Sequence, residues 1–265
     1  MLVLLPPSEG KTPAPDGARP VDLGSLSSPV LGPQRERVLD ALVAASALPE
    51  AVEVLGVSPG LEPEVRRNTG LRSAPAAPAA QVYTGVLFAA ADLAGALDAG
   101  GETARRASDG VRVVSGLWGA LSPADRVPAY RLSMGVTLPG VGRLATAWRP
   151  HLAEVLDARA AGDVVVDCRS ATYAAAWTPR TSGEDAPQHV AVRVLREQDG
   201  RRTVVSHHAK HTRGVLTGHL LRRPGVVASV DDLAKAADEL VGTALLDAAV
   251  TEGGRGRLTL ELVVA

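Results

Sequence analysis

Among the positively charged residues of this 265-residue chain only Lys11, Lys210 and Lys235 are lysines; the rest are arginines. Arginine stays protonated and forks toward oxyanions, whereas lysine is a compact charge whose pKa burial can lower. A chain so shifted toward arginine keeps lysine where arginine does not serve, which makes Lys11 and Lys210 candidates for chemistry. A desolvated lysine beside another cation can attack a carbonyl or a sugar C1′, with Asp125 as its acid/base partner. Lys210 lies in the stretch 206–214, where His207, His208, His211 and Arg213 also converge. His207 and His211 are four apart and could share a helix face. No acidic ligand is near, however, and HHAKH lacks the glutamate of a zinc hydrolase, so neither a metal nor a cofactor is expected. Glu9-Gly10-Lys11-Thr12 ends like a Walker A loop, yet Leu5 stands where that loop's first glycine belongs, which excludes a nucleoside triphosphatase.

The residues least ordinary for this composition fall between Val113 and Gly140. Trp118, Tyr130 and Met134 sit there with Gly116, Gly119, Pro123, Asp125, Arg126, Pro128 and Arg131. The glycines suit a sharp turn or a close backbone approach, and the prolines argue for a structured loop over a long helix. Arg131 could pair with Asp125, and Trp118 could be core. Tyr83 is either a core aromatic with its hydroxyl tied down or a site residue. Cys168 is the only cysteine, so an intrachain disulfide and a Cys-based zinc cluster are excluded. At a strand end it reads as a small buried hydrophobe more readily than as a peroxide-sensitive thiol.

The elements that position these residues follow from period and punctuation. Met1–Leu5 reads as a buried strand interior to a sheet, ended by Pro6-Pro7. Pro33–Ala47 has helical spacing, 73–80 reads as a low-complexity surface connection, and Ala89–Ala107 is a helical stretch broken at Gly100-Gly101. Val111–Val114 and Val164–Val166 are short buried strands. Leu138–Gly142 is a glycine turn that matches half of a helix-hairpin-helix, with a helix beyond it and Pro150 a candidate for that helix's first turn. Val190–Leu195 and 203–206 form a hairpin across Asp199-Gly200. Val215–Leu221 and Asp231–Ala249 read as helices and 258–264 as a closing strand. With 46% apolar and 22% charged residues the composition is that of a globular protein. A net charge of −1 means that any nucleic-acid surface must be a local patch. No segment suits a signal peptide or a membrane span, so a cytoplasmic location and no membrane partner are expected.

The order S-G-L-W-G-x-L-x-P-x-D-x-x-x-x-Y-R-L-x-M-G, from Ser115 through Trp118, Asp125, Tyr130 and Arg131 to Gly135, resembles the signature of the YaaA family of bacterial peroxide stress proteins. Ser8-x-x-Lys11 after the first strand, Tyr83-Thr84-Gly85, and Ala209-Lys210-x-x-Arg213-Gly214 fit the same family. Ser170 and Tyr173 fit a further family segment, from which Cys168, Arg169 and Thr172 depart. The resemblance spans the chain. It implies a single α+β domain over 1–265, a compact fold with a mixed β-sheet flanked by helices. It also implies a role in limiting peroxide damage by keeping free intracellular iron low, and DNA binding in a positively charged cleft. In that cleft Lys11, Arg126, Arg131, Lys210 and Arg213 would neutralise phosphate. Tyr83, Trp118 and Tyr130 would stack on unpaired bases, and Ser8, Thr84 and Ser115 would add polar contacts. The partner would be DNA with unpaired or distorted bases, or a nucleotide-like small anion. The alternative is an enzyme in which Lys11, Lys210 and Asp125 act on a nucleobase, a nucleotide or damaged DNA in the manner of a glycosylase/lyase.

Overall fold

A four-residue strand, Leu2–Leu5, forms the middle of the sheet because all four of its side chains are apolar and both of its faces are covered. The computed structural model describes every residue except Thr181 and Ser206, and describes His207, His208 and Arg255 by their backbone alone. The sheet strands are β1 (Leu2–Leu5), β2 (Val111–Ser115), β3 (Gly119–Leu121), β4 (Val164–Asp167), β5 (Gln188–Gln198), β6 (Arg201–Val204), β7 (Asp247–Gly253) and β8 (Arg257–Val264). Their order is β7-β8-β5-β4-β1-β2-β3, with β6 also paired to β5. β2, β1, β4, β5 and β8 run parallel; β3, β6 and β7 run antiparallel to their neighbours. The result is one α+β domain with a mixed sheet and helices packed against it.

The helices that bear on the site are α1 (Gly32–Ala47), α2 (Val86–Ala91), α3 (Leu93–Asp98), α4 (Gly101–Gly110), α5 (Leu144–Ala160), α6 (His207–Arg222) and α7 (Val230–Asp238). α6 lies directly on α2. A Cβ at Gly214 would stand 2.3 Å from the Leu87 carbonyl oxygen, and one at Gly218 would stand 2.9 Å from that of Ala91. These two glycines, four apart, let the backbones touch; their spacing was a readable signal for a helix contact.

Several expectations change. The segment 73–80 is no surface connection: Ala76 and Ala79 are fully buried, and the Ala79 and Ala80 amides donate to the Asp125 and Pro123 carbonyls at 2.7 and 2.9 Å. Small side chains are needed there because the strand must lie against another backbone. Helix α7 ends at Asp238, and residues 247–253 pair with β8 as an edge strand instead of extending the helix. Pro150 is not a first-turn residue but lies inside α5, which begins at Leu144. Its missing amide frees the Thr146 carbonyl on an exposed face, where water can bond it. The Leu138–Gly142 turn joins a two-residue ladder of Thr137–Leu138 with Gly142–Arg143, with positive φ at Gly140 and Gly142. It is a β-turn ahead of a helix, and no first helix precedes it. The Asp199-Gly200 hairpin forms as read, both residues having positive φ.

Gly214→Ala is expected to destabilise the fold by about 1–3 kcal/mol in urea unfolding, and more than Gly218→Ala, because the closer carbonyl leaves α6 nowhere to move without lifting from α2.

Candidate functional site

β1 has β2 on one side and β4 on the other, and the chain crosses from β2 and β3 to β4 over its edge. The parallel order therefore reverses between β1 and β4. In open α/β sheets the crevice beyond the carboxyl ends of the strands at such a reversal is where ligands are bound. The loop leaving β1 there is Pro6–Lys11. A cavity of about 380 Å³ is lined by Pro6–Gly10 of this loop, by residues 85–88 at the start of α2, and by Lys210.

The Ser8–Lys11 turn is held from several directions. The Ser8 hydroxyl donates to the Gly10 carbonyl at 2.6 Å, and the Lys11 ammonium donates to the Ser8 carbonyl at 2.7 Å. Lys11 pairs in a β-bridge with Tyr83, the Thr12 amide donates to the Val82 carbonyl at 2.9 Å, and the Thr12 and Thr84 hydroxyls meet at 3.2 Å. Gly85 must be glycine because a Cβ there would lie 2.3 Å from the Ser8 Oγ. The Lys11 Nζ stands 4.3 Å from the Tyr130 ring centre and 5.6 Å from that of Tyr83. Arg131 closes the turn. It donates to the Glu9 carbonyl at 3.2 Å and pairs with the Glu9 and Glu64 carboxylates at 3.3 and 3.4 Å. Burial lowers the Lys11 pKa to about 8; Glu9 and Glu64 oppose the shift and Arg131 adds to it.

Beneath Lys11 runs a buried hydroxyl chain. The Ser115 Oγ accepts from the Leu117 and Trp118 amides at 3.1 and 3.0 Å and lies 2.7 Å from the Tyr130 hydroxyl, which lies 3.0 Å from that of Tyr83. Burial raises both tyrosine pKa values far above the ordinary range. The 116–119 turn that holds Ser115 is fixed from behind. The fully buried Arg35 donates to the Trp118 and Ala120 carbonyls, each at 2.9 Å. The Trp148 indole donates to the Gly116 carbonyl at 2.8 Å. Gly119 has φ +68°, and a Cβ there would be 2.7 Å from the Trp148 ring.

The structure thus gathers Ser8, Lys11, Tyr83, Thr84, Ser115, Tyr130 and Arg131 around one turn, with Lys210 across the cavity. Other expected residues lie elsewhere. The Asp125 carboxylate accepts from the Ser27 and Ser122 amides at 2.8 and 2.9 Å and from the Ser27 hydroxyl. It holds a turn near Arg35, and Arg131 pairs with glutamates instead of with it. Arg126 donates to the Ala76 carbonyl at 2.6 Å. Arg213 reaches the Val192 carbonyl at 2.8 Å behind α6. Trp118 is fully buried and Tyr83 and Tyr130 are no more than 2% exposed, so none offers a ring face for stacking on a base. Residues that sequence reasoning missed include Asn68, whose amide bonds both the amide and the carbonyl of Arg131 at 2.8 and 2.9 Å. Glu64 and Arg35 were also missed. Each is remote in sequence from its partner, and only the order N-x-G at Asn68 hints at a turn.

After β4, Arg169 forks onto Asp167 at 2.9 and 2.7 Å and donates to the Trp177 carbonyl at 2.8 Å, while His189 meets Asp167 at 3.1 Å. These bonds hold the Asp167 carboxyl below the usual range against its burial. Cys168 between them is fully buried and its pKa rises to about 12, so it is a packing residue and no reactive thiolate. Among the described residues no three His, Cys, Asp or Glu are grouped to hold a metal. The metal reading of His207 falls on a side chain outside those described. No helix among the described residues is long and apolar enough to cross a membrane.

The Lys11 shift has a sign. Between about pH 8 and 10.5 the unfolded chain holds the lysine proton that the folded chain has released, so raising the pH through this window adds stability. Urea unfolding of wild type relative to Lys11→Met is expected to gain up to roughly 3 kcal/mol across it, and a flat difference would refute a desolvated ammonium.

A profile of the family described as Peroxide stress protein YaaA matches residues 1–240. The chain is 48% identical over 257 residues to a UPF0246 protein of Streptomyces coelicolor, covering 96% of this chain and 95% of that one. It is 38% identical over 263 residues to a UPF0246 protein of Corynebacterium efficiens, covering 98% and 99%. A UPF0246 protein of Cereibacter sphaeroides is 33% identical over 230 residues, covering 82% and 84%. The matched range takes in the β1 loop, the Tyr83 turn, the 115–135 stretch and α6. With matches of this length and level, the chain belongs to the YaaA family of peroxide stress proteins.

Proposed function

We propose that this peroxide stress protein works by binding a nucleotide-like anion, free or as an unpaired or distorted unit of DNA, at the carboxyl end of β1. We further propose that it limits free intracellular iron through that ligand. The observation that supports the reading is a cavity of about 380 Å³ lined by Lys210 and by Pro6–Gly10, with Lys11 and Arg131 bonding the backbone of the same turn. Cations so placed neutralise phosphate and release counterions, and a cavity of this size suits a small polar ligand. The buried aromatics take no stacking role in this reading; recognition is by charge and hydrogen bonds.

A second reading is an enzyme acting on a nucleobase, a nucleotide or damaged DNA. It is favoured by Lys11, because an ammonium titrating near 8 supplies neutral amine at physiological pH and so a nucleophile for a carbonyl or a sugar C1′. Lys11→Arg keeps the charge and removes the nucleophile. It is expected to abolish turnover while leaving anion affinity within about threefold; turnover by the arginine variant would eliminate the second reading.

The first reading is tested by fluorescence anisotropy of labelled mononucleotide and of duplex, single-stranded and bubble DNA across a salt series. Binding is expected to weaken with salt, and Lys210→Ala to reduce the slope of log K against log salt by about 0.7–0.9, one phosphate contact. Absence of binding at low salt to any of these probes would refute it. In a host lacking its own family member, wild type should lower chelatable iron after peroxide challenge and Lys11→Ala should not.

A further inference from the structure

The cavity at the end of β1 offers a ligand apolar walls and few polar groups. Pro6 and Pro7 form one part of its lining, and a proline has no amide to donate. Val86, Leu87 and Phe88 form another part. The Phe88 ring is packed on that of Tyr83, with 5.1 Å between their centres. Val86 is 45% exposed, so an apolar side chain is left uncovered beside the cavity. The polar groups of the Ser8–Lys11 turn are spent within the turn itself. The Ser8 hydroxyl donates to the Gly10 carbonyl, and the Lys11 ammonium donates to the Ser8 carbonyl. Arg131 is engaged by Glu9 and Glu64, and neither Lys11 nor Arg131 lines the cavity. Two charged residues do line it, Glu9 and Lys210. The Glu9 carboxylate pairs with Arg131 at 3.3 Å. Lys210 is exposed and has no hydrogen-bond or ion-pair partner among the described residues.

Apolar walls with one free cation fit a ligand of the same make-up. We infer that the cavity takes the ring of a nucleoside monophosphate unit, with its single phosphate on Lys210, and that it has no place for a second phosphate. This deepens the reading under Proposed function and rests on it. A phosphate cradle needs converging amides or several cations. Here two of the lining residues are prolines, and one lysine supplies all of the free positive charge. A flat ring, in contrast, gains by leaving water for apolar walls. A second phosphate would add negative charge beside the Glu9 carboxylate without a second free cation to meet it. The volume, about 380 Å³, lies near the small end of ligand cavities, which run from about 300 to 1,000 Å³, and gives room for a single nucleotide. A free monophosphate and one unpaired residue of DNA present the same ring and the same phosphate. Lys210 supplies affinity for the phosphate, and the walls distinguish a nucleotide from phosphate itself.

The test is competition against a labelled nucleoside monophosphate and against labelled bubble DNA, read by anisotropy on the full chain. Unlabelled monophosphate should displace whichever probe binds. The diphosphate and triphosphate should compete within about threefold of it, and inorganic phosphate should need about a hundredfold more. Lys210→Ala should bring the monophosphate down to the level of the nucleoside. Val86→Asp should weaken the monophosphate about tenfold or more, because it sets a charge against the ring; its Tm should match wild type, since Val86 is exposed. The two sources of the ligand separate in the DNA arm. A bubble preference that disappears when the unpaired positions are abasic assigns the cavity to a DNA base; a monophosphate that binds while the bubble binds no better than duplex assigns it to the free ligand. A triphosphate that competes about tenfold better than the monophosphate, inorganic phosphate that competes equally with it, or full affinity in Val86→Asp overturns the ring site. In those cases an anion still binds, and the reading under Proposed function stands without this site. If neither probe binds at low salt, both fall.

Discussion

The site depends on a lysine ammonium that sits half out of water. A charge in that position must replace its lost hydration or release its proton. Lys11 does some of each: it bonds the Ser8 carbonyl at 2.7 Å, lies over the Tyr130 ring, and has its pKa drawn down to about 8. The turn that supplies the carbonyl can exist only because β1 ends where it does. Four apolar residues fill the sheet and Pro6-Pro7 stops the ladder. Gly85 then lets the Tyr83 segment press against Ser8. The reach of the α6 lysine, Lys210, follows from α6 lying on α2 through Gly214 and Gly218.

Long loops lack ladder partners, so their backbone groups must be satisfied by side chains. This chain does so with buried polar residues used as fasteners. Arg35 takes carbonyls at Trp118 and Ala120, Asn68 takes both backbone groups of Arg131, Asp125 takes two amides, and Arg169 takes Asp167 and the Trp177 carbonyl. The one ion pair among these fasteners, Arg169–Asp167, contributes little net stability against well-packed apolar residues, but removal of one partner of any of these buried bonds leaves the other unsatisfied. Their effect is to fix loop geometry. That geometry sets Ser115 under Tyr130, and Tyr130 under Lys11. An arginine-rich chain suits such fastening, because a guanidinium can fork to several carbonyls at once.

The same economy explains why so many residues of the 113–140 stretch face inward. Trp118, Tyr130, Leu132 and Met134 are buried, and Gly116 and Gly119 are confined by the 133–134 backbone and by Trp148. The density of unusual residues reflects a loop folded onto itself, with one edge, Tyr130 and Arg131, turned toward the β1 end. Exposed chemistry comes from the Ser8–Lys11 turn and from α6, which are short or ordinary in composition.

The sequence by itself determined the local elements and the family signature. Apolar runs placed β1, β2 and β4 inside a sheet, Asp199-Gly200 specified a hairpin, and the scarcity of lysine pointed to Lys11. Periodicity records which side of an element meets apolar surroundings, and turn residues record where the chain reverses; both are properties of neighbours in the chain. Only the tertiary structure decided which polar groups meet. Asp125 bonds Ser27 and Arg131 pairs with Glu64, contacts made across long loops whose closure leaves no local pattern. The alanine- and proline-rich 73–80 segment proved buried, and residues 247–253 became an edge strand, because a partner backbone was available to them.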